Sequence, residues 1–150
     1  MKTFFFRLER LLQLRARNER ERARRLGEAL REEQEQRDVL AAAAANLGQC
    51  GQQIAEATGK VASAGMILNL GLAMDAAVNQ VEAAEVSHRA AAESVVSEQE
   101  QFGRARMERR VIERLRERRE DAWRTAAARE EQSEQDGLAH HRRSRRGDPS

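Results

Sequence analysis

The sequence predicts an all-α protein, two long helices in an antiparallel coiled-coil hairpin. Three observations carry this. Ala, Arg, Glu and Gln dominate the 150 residues, while Tyr is absent and only four Phe, one Trp and one Pro occur. That composition favours helix nearly throughout and lacks the aromatic and β-branched residues that fit a pleated sheet. Apolar residues also recur in sevens, and glycines gather between two such series.

The first helix is read from Phe5. Steps of seven give Phe5, Leu12, Glu19, Leu26, Glu33, Leu40, Leu47, Ile54, Val61 and Leu68, with Leu8, Ala29, Ala43, Cys50, Ala57 and Ala64 three residues behind. Arg15, Arg22 and Gln36 fill the remaining inner positions, so the seam is polar towards its N-terminal part. Charges at Arg15, Glu19, Arg22 and Glu33 are expected to weaken self-association and to be left for a partner.

The second helix is read from Ile67, Leu70, Met74, Ala77, Val81, Ala84, Ala91, Val95 and Phe102, then from Met107, Val111, Leu115, Ala122 and Trp123. On the outer faces, Glu21 with Arg25, Glu33 with Arg37 and Glu120 with Arg124 place the acid four residues before the base, the favourable order along a helix. Gly59, Ser63, Gly65, Asn69 and Gly71 place the bend at 59–71, since glycine disfavours helix interiors by about 1 kcal/mol. Gly48 and Gly51 should loosen the first helix near that end. The hairpin is expected over residues 1–139, followed by a disordered basic tail over 140–150 that carries His140, His141 and four arginines. Folding near residue 65 would set Phe5 near Trp123, Leu12 near Leu115 and Leu26 near Phe102.

Composition also bounds the function. Cys50 is the one cysteine, so no internal disulfide forms and a reducing cytoplasm is the natural setting. Arg7 cuts off the opening apolar run after Phe4, Phe5 and Phe6, too early for a secretory signal, and no charge-free stretch is long enough to span a membrane. A soluble or peripheral protein is expected. Residues 1–40 carry 11 basic and 8 acidic groups, 41–100 carry 2 and 7, and 101–150 carry 14 and 10. A hairpin would bring the two arginine-rich ends together.

No catalytic constellation is present in the sequence, so the chain is not expected to be an enzyme or to need a cofactor. There is no phosphate-binding glycine loop, no Cys/His spacing suited to a metal and no nucleophile followed by a base. Glu32-Glu33 and Glu130-Glu131 read as solvated helix faces, because catalysis by paired carboxylates needs a cleft. Cys50 and His88 read as packed seam residues. His140 and His141 are adjacent and cannot share a helical face for metal binding. The arginine clusters are interleaved with glutamates and lack aromatics for base stacking, which argues against nucleic acid and for protein partners.

Two blocks carry a family resemblance. Phe4-Phe5-Phe6-Arg7-Leu8-Glu9-Arg10-Leu11-Leu12-Gln13-Leu14-Arg15 is similar to the opening of flagellar FliJ proteins. Met107-Glu108-Arg109-Arg110-Val111-Ile112-Glu113-Arg114-Leu115-Arg116-Glu117-Arg118, followed by Gln132, Asp136, Leu138 and Ala139, resembles the family's closing helix. The resemblance implies a two-helix stalk of the flagellar type III export apparatus. Such a stalk enters the hexameric ring of the export ATPase, touches the membrane export gate and handles export chaperones during flagellum assembly. It implies a cytoplasmic protein, peripheral at the inner face of the cell membrane, with no direct membrane insertion. On that basis Phe5, Leu8, Leu12, Val111, Leu115, Gln132, Asp136 and Leu138 are the expected contacts with the ATPase ring. Met74, Val78 and Val81, early in the second helix, are the expected contacts with the gate. Val78 is the one expected at the surface, because Met74 and Val81 also fit the seam.

Other readings compete. The equivalent stalk of a virulence injectisome would share fold and mechanism, and the phenylalanine-rich opening favours the flagellar version. A generic coiled-coil scaffold would form a parallel dimer. An arginine-driven nucleic-acid binder would show strongly salt-sensitive binding.

Overall fold

The computed structural model describes residues 3–146, with side chains placed for residues 3–141. The fold is all-α, as expected: α1 (Glu9–Thr58) and α2 (Ala64–Arg146) are its two elements, and no strand occurs among the described residues. Two units divide the chain. The first combines residues up to Asn18 with those from Ala105 onward, and the second is Glu19–Arg104.

In the second unit the two helices run antiparallel. Arg22 donates to Gln101, His88 Nε2 donates to Glu33 Oε1 at 2.8 Å, and Asn46 Nδ2 donates to Gln80 Oε1 at 3.4 Å. Gln101 thus lies beside Arg22, whereas a fold centred on residue 65 would set neighbouring Phe102 beside Leu26. The register is displaced by roughly two helical turns because the connection is shorter than expected and lies earlier, and each residue by which the bend centre moves shifts the opposing residue by two.

The connection covers residues 59–63, and Gly65, Asn69 and Gly71 lie inside α2. Ser63 explains the boundary. Its Oγ accepts from the Met66 amide at 3.2 Å and its carbonyl from the Ile67 amide at 3.1 Å, so it caps the first turn. Among the described residues no glycine takes a positive φ, and the chain reverses there without a left-handed residue. Gly48 and Gly51 remain within α1.

Packing in this unit rests on small side chains. Ala77 is only 2% exposed, and Ala84 and Ala91 follow it at seven-residue steps as buried residues. α1 has no buried residue among those described. Two helices cannot enclose a large side chain on all sides, so Leu26, Leu40, Leu47 and Ile54 stay half-buried while alanines opposite α1 vanish from solvent. The same seven-residue step from Ala91 reaches Glu98, whose Oε2 is buried with no hydrogen-bond partner, and then buried Ala105 in the first unit.

The α1 seam is the one read from the sequence: positions 12, 15, 19, 22, 26, 29, 33, 36, 40, 43, 47, 50, 54 and 57 are half-buried. Its ends differ. Phe5 is 81% exposed and Leu8 is exposed, while Phe6 is buried, because residues 3–6 are not helical and heptad counting applies only from Glu9. Val61 falls in the connection, and Leu68 and Ile67 lie exposed on α2.

α2 departs from expectation after Phe102. Met107 and Val111 are exposed, and the covered face continues through Ala105, Arg109, Ile112, Arg116, Glu120 and Trp123. The steps stay at three and four, so the helix keeps its phase and carries arginine stems where larger apolar residues were expected. Ala122 is exposed.

In the first unit Arg15 Nη1 donates to Glu108 Oε2 at 2.6 Å, and Arg116 Nε lies 3.4 Å from Glu9 Oε2. The Phe4 and Trp123 rings meet at 6.0 Å with a tilt of 52°, a favourable aromatic geometry. α2 continues through Gly137, His140 and His141 to Arg146, where a disordered tail is expected from 140. The remainder of that stretch, 147–150, lies outside the described residues.

Candidate functional site

The charges on the seam are already engaged. Arg15 is paired with Glu108, Arg22 with Gln101, and Glu33 with both His88 and Arg37, the latter at 2.7 Å. For Arg15, Arg22 and Glu33 this corrects the expectation that they stand free for a partner: antiparallel pairing places an amide, carboxylate or imidazole from α2 within reach of these three. The His88 hydrogen bond, with a further one from Arg37, holds the Glu33 carboxyl below its ordinary value of 4.5 against the opposing effect of burial. On the outer surface Glu21 bonds Arg25 at 3.1 Å and Glu120 bonds Arg124 at 2.6 Å, as the spacing predicts. Exposed pairs of this kind contribute only tenths of a kcal/mol.

Partner recognition therefore has to use what the seam leaves uncovered. All eight expected ring contacts fall in the first unit: Phe5, Leu8 and Leu12 from the N-terminal segment, and Val111, Leu115, Gln132, Asp136 and Leu138 from α2. They differ in access. Phe5, Leu8, Val111 and Leu138 are exposed, whereas Leu12 and Leu115 are half-buried and serve the packing of the unit. Gln132 and Asp136 lie four residues apart and share a face of α2, while Leu138, two residues beyond Asp136, points elsewhere.

The N-terminal segment reaches Trp123 through Phe4, and past Ala127 the cover ends. Every residue from 128 to 141 is exposed. A helix continuing alone leaves its full circumference available to another molecule. Met107, four residues before Val111, adds a second large exposed apolar side chain on the same ridge. Sequence reading missed it by assigning Met107 to the seam. Unbroken three-and-four spacing from Phe102 through Ala105 and Arg109 is the signal that finds it.

The expected gate residues lie in the second unit. Met74 and Val81 are half-buried on the covered face beside Ala77, and Val78 is exposed. Of these three, Val78 is the side chain open to a partner.

Chemistry is sparse in the surface grooves. One of about 460 Å³ is lined by Gln36, Asn46, Gln80 and Ser87 with alanines between them, all neutral groups. Among the described residues no cluster of His, Cys, Asp or Glu could hold a metal ion, and no helix is long and apolar enough to cross a membrane.

No curated protein and no solved structure matches the chain. A family model does, that of the flagellar FliJ protein, over residues 4–148.

Proposed function

As a chain that belongs to the FliJ family and so to the flagellar export apparatus, we propose that it is the non-enzymatic stalk or adaptor of flagellar type III protein export. The first unit is the part held by the hexameric export ATPase, with Phe5, Leu8, Val111, Gln132, Asp136 and Leu138 at the contact and Leu12 and Leu115 supporting it. Val78 meets the membrane export gate, flanked by Met74 and Val81. The chain works in the cytoplasm at the inner face of the cell membrane and assists delivery of chaperone-bound substrates.

One observation supports this most: the eight expected ring residues fall in a single unit whose α2 continues, wholly exposed, over residues 128–141. A stalk needs no chemistry of its own. By contacting some states of a ring better than others it biases which ATPase sites close. The flagellar family match favours this apparatus over an injectisome.

The test is a pulldown with the cognate export ATPase while hydrolysis is followed. Binding with stimulated hydrolysis is expected, and Val111→Glu should reduce both without loss of helicity. Val78→Glu should spare the ATPase and weaken only the gate. Absence of both binding and stimulation would refute the stalk assignment.

A further inference from the structure

The first turns of α2 carry no charge and are apolar over most of the helix circumference, with exposed Asn69 as the one polar side chain between Met66 and Leu72, unlike the rest of the chain. Met66, Ile67, Leu68 and Leu72 are exposed, and Val61 in the preceding connection is 109% exposed. Three consecutive residues at 3.6 per turn sweep most of the circumference, so Met66, Ile67 and Leu68 do not form a stripe. Leu70 and Met74 are half-buried. Between Glu56 and Asp75 the sole ionisable side chain is Lys60. Beside it opens a groove of about 380 Å³, bordered by Glu56 and lined by Ala57, Val61, Ala62, Met66 and Leu70.

A helix apolar on one narrow stripe suits a groove in another protein, whereas one apolar over most of its circumference suits a medium that covers several sides at once. The charge pattern agrees. A bilayer surface is anionic or zwitterionic; it tolerates one lysine at phosphate level and disfavours carboxylates, which are absent from residues 57–74.

We propose that the bend end of the hairpin docks shallowly into a phospholipid surface, with Val61, Met66, Ile67, Leu68 and Leu72 in the interfacial layer and Lys60 among the phosphates. Depth is limited by the connection, since backbone groups of residues 59–63 outside the helices need water or headgroups. It is limited again by Glu56 and by Asp75, which lies roughly 16 Å along α2 from its start. On this proposal the chain lies on the membrane without spanning it. The proposal is independent of the ATPase and gate assignments.

Flotation of the full chain with phosphatidylcholine vesicles, with and without phosphatidylglycerol, tests it. Wild-type chain is expected to float with both, more strongly with the anionic lipid, and to remain bound at high salt because the contact is apolar. Ile67→Glu with Leu68→Glu changes exposed positions; it should keep the circular dichroism spectrum and lower vesicle binding by about tenfold or more. Three results would overturn the proposal. The wild-type chain fails to float; the double variant floats as well as wild type; or salt removes all binding, which assigns it to the arginines. A dimer in sedimentation that the double variant disperses, without flotation, would instead give this surface to a second copy.

Discussion

The two units use different means to hold the same pair of helices. In Glu19–Arg104 the covered residues are small: Ala77, Ala84 and Ala91 vanish from solvent, and cross-links such as Glu33 to His88 fix the alignment. In the other unit the bulk is aromatic and ionic. Phe6 is buried, Phe4 leans on Trp123, and Arg15 and Glu9 reach Glu108 and Arg116. The difference teaches what a minimal two-helix interface can do. Alanines let backbones approach and exclude water with little side-chain ordering. Large side chains cover more surface but remain partly wet, and arginine stems supply cover where apolar residues are missing.

The largest expected effect comes from breaking the small-residue packing. Ala77→Leu forces three extra heavy atoms into space already closed, and should destabilise the chain by about 1–3 kcal/mol in chemical denaturation followed by helicity. An unchanged midpoint would mean that the helices do not approach closely there. Trp123→Ala probes the other unit, removing a half-buried ring and its contact with Phe4, with an expected loss of about 1–2 kcal/mol. Protease sensitivity near the N-terminus should rise in that variant and not in Ala77→Leu. Equal sensitivity in the two would erase the distinction between the units.

The smallest effect sharpens the comparison through pH. Glu33 has its folded carboxyl held below the ordinary 4.5 by His88 and Arg37. A group with a depressed folded value stabilises above its unfolded value, and that contribution is lost as pH falls through the folded one. Thermal stability should therefore drop on acidification below about pH 4.5, and Glu33→Gln should show a shallower drop over the same interval. Identical acid limbs in wild type and variant would show that the Glu33 pairing contributes nothing to the alignment.

Much of this was legible without a structure. Leu12, Leu26, Leu40, Leu47 and Ile54 turn inward because a continuous helix leaves a seven-residue repeat no other face to present. Cys50 and His88 are seam residues, as their spacing indicates. The candidate contacts were legible as positions, and their exposure was not. Met107 and Val111 look like seam residues by size, and Phe5 by heptad count, yet all three are exposed. Hydropathy says what a side chain prefers, while the phase of a rigid helix decides which face it occupies, and an unbroken three-and-four rhythm outranks residue size.

The sequence by itself determined the helices, their number and the repeat that joins them, because composition and periodicity act locally and accumulate along a chain. Tertiary structure alone decided the register, the partners taken by Arg15, Arg22 and Glu33, and which apolar side chains at residues 61–72 stay uncovered. Each depends on which residue of one helix meets which of the other. A seven-residue repeat recurs along both helices, so cross-helix pairs such as Glu33 with His88 distinguish one alignment from another.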